Sequence, residues 1–202
     1  TSLLFAQWSQ KLSLPGTARS FSNSFTIGSK IYVAGGFDGN APLQDFWEYD
    51  TNADTWTQGT DLPLGFRSGA AGFAIAGKGY LCTGNNGFQY LNDLWEFDPA
   101  TNQWLQKASF PGSNRDEAVA FVIVNKAYVG SGQEFVVTPN NSFTITYDDF
   151  YEYDPVTDSW TAKASIPTTS RAFAVGIGLG SKGYVGLGGN DDQTSSFTDF
   201  YE

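Results

Sequence analysis

Histidine and methionine are absent from the 202-residue sequence, and cysteine occurs once, at Cys82. Without histidine the commonest metal ligand and the usual general base at neutral pH are missing. A single cysteine excludes an intrachain disulfide. Cys82 lies in the apolar run Gly79-Tyr80-Leu81-Cys82-Thr83-Gly84, where a buried, inert thiol is expected. No apolar segment approaches the roughly 20 residues needed to span a bilayer, so no membrane insertion is expected. Positive charge is also scarce: 11 Lys and Arg stand against 21 Asp and Glu, a net charge of -10. Little here can neutralise phosphates, which argues against nucleic acid and anionic membranes as partners. What the chain does have is glycine, 23 residues of it, and 16% aromatics, with few helix-favouring runs. That is the profile of a β protein with many turns.

The order within that composition is a repeat. Trp8, Trp56, Trp104 and Trp160 recur at intervals of 48, 48 and 56 residues. Pro15, Pro63, Pro111 and Pro167 keep the same intervals, as do Arg19, Arg67, Arg115 and Arg171, and Tyr32, Tyr80, Tyr128 and Tyr184. Gly36, Gly84, Gly132 and Gly188 each follow that tyrosine by four residues. Five markers in one register define a repeated supersecondary unit.

Each unit reads as four short strands. The first follows the arginine, as in 67–75, with Phe73 and Ile75 on one face and Ala70, Gly72 and Ala74 on the other. Large against small suits a strand packed between neighbouring sheets near a crowded axis. The second, Lys30 to Ala34, ends in Gly35-Gly36, which permits positive φ at the exit. The third, Phe46 to Tyr49, leads to turns such as Asp98-Pro99-Ala100-Thr101-Asn102, where Asp followed by Pro presets a type I turn. The fourth starts at the tryptophan and runs towards the proline. A four-stranded sheet of this size cannot bury both faces alone, and stacking such sheets radially does so. Each recurring indole can take about 150–250 Å² out of water, so blade packing is its expected role. The predicted fold is all-β: a β-propeller of four-stranded antiparallel blades, with four repeats in this chain.

On these residues the chain resembles the kelch-repeat family. The pattern is Pro-x-x-x-Arg, then Tyr-x-x-x-Gly with paired glycines at Gly35-Gly36 and Gly188-Gly189, then Asp-Pro-x-Thr-Asn-x-Trp. It covers residues 8–202 and is similar to the central domain of galactose-oxidase-like proteins and to exported bacterial kelch proteins. Two departures stand out. The glycine pair is broken at Thr83-Gly84 and Ser131-Gly132, and the third repeat is eight residues longer, with the excess between Gln133 and Tyr147.

The divisions expected are a blade-closing strand at 8–14 and repeats at about 15–62, 63–110, 111–166 and 167–202. The last unit ends within its third strand, and residues 8–14 can supply the fourth, a closure the resemblance supports. Two alternatives stand beside it: a segment of a larger propeller, which we favour, or completion of one chain by another. In residues 1–7, Leu3-Leu4-Phe5-Ala6 reads as the remnant of a secretory signal or as an ordinary strand edge. On the first reading the protein is secreted or at the cell surface, exported from a bacterium.

Loops from fourth to first strand and from second to third strand open on one face. That face is expected to gather Arg19, Arg67, Arg115 and Arg171 with Asp38, Asn85, Glu134 and Asp191, and a ring of arginines can hold a carboxylate or an acidic peptide. The competing reading is structural: each arginine pairs with a repeated carboxylate, Asp45, Asp93, Asp149 and Asp199, or Glu48 and its equivalents. Residues that break the repeat carry more information about function, and Glu134 to Phe143 is the main one. Kelch relatives include a copper oxidase acting on galactose, but its metal site needs histidines, so that chemistry has no support here. Sialic-acid mutarotases share the fold, yet their site residues find no match. The acidic pairs Asp148-Asp149 and Asp191-Asp192 lack the spacing of a Ca²⁺ loop. No catalytic residue, metal site or cofactor is therefore expected. The leading expectation is a non-catalytic module that recognises a protein or glycan through one face. The alternative is a segment of a larger exported carbohydrate-active enzyme whose catalytic residues lie elsewhere.

Overall fold

A computed structural model describes residues 8–63, 65–190 and 195–202. Among them are seventeen strands and no helix, hence none that could cross a membrane. Three blades are four-stranded antiparallel meanders. Blade 1 is β1 (Asn23–Ile27), β2 (Lys30–Ala34), β3 (Phe46–Asp50) and β4 (Thr55–Gln58). Blade 2 is β5 (Ala71–Ile75), β6 (Lys78–Cys82), β7 (Leu94–Asp98) and β8 (Gln103–Lys107). Blade 3 is β9 (Val119–Ile123), β10 (Lys126–Gly130), β13 (Phe150–Asp154) and β14 (Ser159–Lys163). It is interrupted by a hairpin, β11 (Gln133–Val137) and β12 (Ser142–Thr146), which accounts for the eight extra residues. Blade 4 has three strands, β15 (Val175–Leu179), β16 (Lys182–Gly186) and β17 (Phe200–Tyr201).

The core lies between blades rather than within them. Phe25, Tyr32, Phe46 and Leu62 of the first unit close on Leu81 and Phe97 of blade 2. Phe73, Ile75, Tyr80, Cys82 and Leu94 close on Ala127, Val129 and Tyr153 of blade 3. Val119, Phe150 and Ile166 meet Val185 of blade 4. The division into large and small faces explains this. A Cβ at Gly79 would overlap the Phe25 ring, and one at Gly183 would overlap the Phe121 ring. On the small face, a Cβ at Gly72 would stand 3.0 Å from the Ser24 carbonyl. Gly79→Val should therefore lower unfolding stability by about 2–3 kcal/mol through overpacking, read as a lower urea midpoint with unchanged slope.

The inner strands pack in succession: β1 on β5, β5 on β9, β9 on β15. The four blades stand in a β-propeller arrangement, with no contact between β15 and β1 among the described residues. Residues 8–14 form no strand and β17 pairs only with β16, so the expected closing pair is not made in this structure. These residues nonetheless lie on blade 1 as an outer strand lies on the next blade. The Trp56 indole donates to the Leu12 carbonyl at 2.8 Å, as Trp160 does to Ala108 at 2.8 Å. Leu12 N–H reaches Asp54 Oδ1 at 3.1 Å, as Ala108 N–H reaches Asp158 Oδ1 at 3.0 Å.

The indoles are fasteners at the margin more than the centre of the core. Trp104 packs on Phe46 of blade 1 and Phe97 of its own blade. Trp160 packs on Phe110 and Tyr153, and Trp56 on Tyr49. All three are half-buried, whereas Trp8 is fully exposed. The deepest rings are Tyr32, Tyr80, Tyr153, Phe46 and Phe110.

Candidate functional site

The four repeated arginines are spent inside the fold. Arg67 places two guanidinium nitrogens on Asp93 at 2.8 and 2.6 Å and donates to the Thr83 carbonyl. Arg19 does the same with Asp45 at 2.6 and 2.7 Å and the Gly35 carbonyl at 2.9 Å. Arg115 clasps Asp149, donates to the Ser113 and Ser131 carbonyls and lies over the Tyr147 ring at 3.9 Å. Arg171 clasps Asp199 at 2.5 and 2.8 Å and lies over Phe197. The carboxylates accept a further bond from the side chain two residues on: Trp47 on Asp45, Trp95 on Asp93, Tyr201 on Asp199. Arg171 thereby holds the Asp199 carboxyl far below the usual range, despite some desolvation. At Asp45 burial opposes ionisation, but the bonds from Arg19 and Trp47 outweigh it and the shift is downward. The structural reading of the arginines thus accounts for their donors. The repeated glutamates serve the tyrosines instead: Tyr32, Tyr80, Tyr128 and Tyr184 donate to Glu48, Glu96, Glu152 and Glu202.

Asp38 and Asn85 sit in the β2–β3-type loops, and Glu134 on the hairpin that interrupts the corresponding loop of blade 3. Asp38 accepts from the Asn40 and Ala41 N–H groups, and these hold its pKa down. Asn85 accepts from Gly87 N–H at 2.6 Å. Glu134, on the hairpin, accepts from the Tyr147 hydroxyl at 3.0 Å. Asp191 lies outside the described residues.

What these loops enclose is a groove of about 480 Å³ over the first two blades. Its walls are Phe37 and Pro42 from the β2–β3 loop, Phe66 and Ser68 from the loop before β5, and Asn86 and Phe88 from the β6–β7 loop. Asp116, from blade 3, lines its inner end, and Asn85, with the loop residues Asn40 and Asn86, was expected on this face from the sequence. Beside it the β11–β12 hairpin turns Phe135, Val137, Phe143 and Ile145 towards solvent.

Asp116 and its neighbour Glu117 were not anticipated from the sequence. They hold positions occupied by Ser20 and Phe21, Ser68 and Gly69, and Ala172 and Phe173 in the other units. They are thus a local break in the repeat, and the rule that such breaks carry function would have found them. Glu117 has φ 52°, the left-handed region also used by Phe21, Gly69 and Phe173, which turns this residue towards the axis. Asp116 Oδ1 is sealed from solvent with no hydrogen-bond partner among the described residues. Burial lifts Asp116 to about 7, against weaker opposition from the Gln133 side chain and its own N–H. Burial, then repulsion from Asp116, lifts Glu117 to about 7. Among the described residues neither forms an ion pair, and no three His, Cys, Asp or Glu side chains converge to hold a metal ion.

The family model described as the KLHDC2/KLHL20/DRC7 Kelch-repeats domain matches residues 6–109. The solved structure titled "Structure of YjhT" superposes with a TM-score of 0.71 at 22% identity. The match covers 87% of this chain and 59% of that one, and at such identity it establishes a shared fold. No curated protein sequence matches.

Proposed function

Because the chain belongs to the Kelch-repeats domain family, whose propeller fold suits an interaction module, we propose that it is a non-catalytic binding module. In this reading it is part of an exported protein and recognises a protein or glycan through the β2–β3-type loops. The observation that carries it is the apolar surface on that face which no blade needs. Phe88 is 93% exposed and Phe66 is exposed in the groove's lining, and Phe135 and Phe143 are exposed on the β11–β12 hairpin. A surface of exposed aromatics next to a formed cavity is the usual signature of a binding site.

The test uses position against position. Val156 is equally exposed, but it lies in the β13–β14 turn, at the opposite end of the strands. Arrays of glycans and of extracellular proteins are probed with the wild type, with Phe88→Ser combined with Phe135→Ser, and with Val156→Ser. Retention of the bound ligand should fall at least tenfold for the double variant and stay unchanged for Val156→Ser. The reverse pattern would assign binding to the other face.

A further inference from the structure

The groove's chemistry is lopsided. Its apolar walls are phenylalanine and proline, and the side-chain oxygens of two of its amides are engaged: Asn85 accepts from Gly87 N–H, and Asn86 accepts from the Phe88 and Gln89 N–H groups at 3.0 and 2.9 Å. At the inner end the Asp116 carboxyl has one oxygen without a partner and no cation opposite it among the described residues. A second, smaller cavity of about 170 Å³ abuts the first through Phe37, Ser68 and Asp116, and is walled by Phe21, Phe173 and Glu117. Two carboxyls thus stand at the junction of two aromatic-walled spaces. Aromatic faces attract a cation, and a desolvated carboxylate binds one strongly. A flexible apolar stem with a compact ammonium head matches both parts, and the chain's net charge of -10 favours a basic partner.

We propose that this groove is a receptor for a lysine side chain of a partner protein, its stem between Phe37, Phe66 and Phe88 and its ammonium at the Asp116 carboxylate. This rests on the reading of the loop face as a protein-binding surface and names the anchor that face takes. The groups facing Asp116 are Glu117 on its own loop and Tyr90 on the β6–β7 loop, with Glu134 behind Tyr90. All three become more negative, if they change at all, as pH rises. Affinity for an ammonium therefore increases with pH, and a carboxyl titrating near 7 makes it about tenfold tighter at pH 8 than at pH 6.

The probe is Nα-acetyl-lysine methylamide, titrated into the full chain and followed by backbone amide NMR shifts. Amides of Asn85, Gly87 and Phe88 are expected to move at millimolar concentration. The Nε-acetylated analogue, which keeps the stem without the charge, should not move them. Asp116→Asn should weaken binding at least tenfold and reduce its pH dependence to what Glu117 supplies, and Phe88→Ala should weaken it several-fold while keeping the full dependence. Equal binding of the acetylated analogue, or undiminished binding by a folded Asp116→Asn variant, overturns the proposal. If the lysine probe fails while array binding still depends on Phe88 and Phe135, the ammonium site falls and the face survives. If the probe binds as expected while array binding depends on Val156, the ammonium site stands without the face assigned above.

Discussion

Arg67→Ala is expected to destabilise the fold by about 3–5 kcal/mol, a large fraction of the roughly 5–15 kcal/mol that holds an ordinary domain folded. The Arg67 side chain is 2% exposed and its partner carboxylate on Asp93 11%. Removing the guanidinium strands that carboxylate with one remaining side-chain donor, the Trp95 indole at 2.6 Å. It also orphans the Thr83 carbonyl, which lies at the exit of β6 beside the blade 2–3 core. The loss is larger than the net worth of the ion pair, because the cost is an uncompensated buried charge. Changing Arg67 and Asp93 together to apolar residues should recover part of the stability, with about 1–2 kcal/mol still lost for the unpaired Trp95 indole and Thr83 carbonyl. Urea unfolding of the two single variants and the double variant measures the cycle. A single-variant loss under 1 kcal/mol would mean that the pair is solvated. The consequence for binding studies is direct: alanine at these arginines reports on folding, and ligand contacts must be probed at Phe88, Phe135 or Asp116.

This contrast shows what was readable in the residues alone. A 48-residue period shared by five markers specifies register, and register places each arginine two strands from its carboxylate, so blades and ion pairs were both accessible. The hairpin was accessible because an insertion in a fixed period has only one place to go. The paired glycines were less transparent. The second of each pair has φ 114°, 104°, 97° and 79°, and a Cβ at Gly84 would stand 2.8 Å from the Ser68 carbonyl. The first is left-handed in every unit too, yet it is occupied by Gly35, Thr83, Ser131 and Leu187, with φ of 56°, 63°, 61° and 59°, so Gly188-Gly189 stands one residue out of register with Gly35-Gly36 and the pair is broken in three units. The broken pairs are thus no departure in conformation, because αL near +60° admits a side chain at modest cost while φ near +100° does not. Closure was not readable, since pairing between residues 8–14 and β17 depends on the angle accumulated over several blades, which no local pattern encodes. The acid pair at the axis escaped notice for a related reason. Two adjacent carboxylates look solvated in one dimension; only their departure from the small or apolar residues at the same positions of the other units marks them, and the inner loops leave them half-buried.

Burial of that pair has a second consequence, in stability against pH. Asp116 rises from about 4 when unfolded to about 7 when folded, and Glu117 from about 4.5 to about 7. Between those values the folded state holds more protons than the unfolded one, so stability falls as pH rises. The protonated pair's contribution is fully present below about pH 4 and is lost through pH 7. Carboxyls held low in the fold act in the opposite direction and in a separate window. Glu152, bonded by Tyr128 and then by Lys126 and Lys163, titrates at about 2, so its stabilisation is lost only as pH falls towards that value. The interval from pH 4.5 to 8 therefore isolates the axial pair. Wild type is expected to lose about 2–4 kcal/mol across it, a figure below the sum of two independent shifts because both carboxyls are only half-buried and solvent screens them. Asp116→Asn removes the buried charge and relieves Glu117, so it should be more stable than wild type by about 2–3 kcal/mol at pH 8 and indistinguishable from it near pH 4.5. Urea midpoints at pH 4.5, 6, 7 and 8 decide the matter: parallel curves for the two proteins would place the Asp116 carboxylate in water. A gain confined to high pH would show that the fold tolerates a buried negative charge at its axis at the expense of stability, as expected of a group kept for binding.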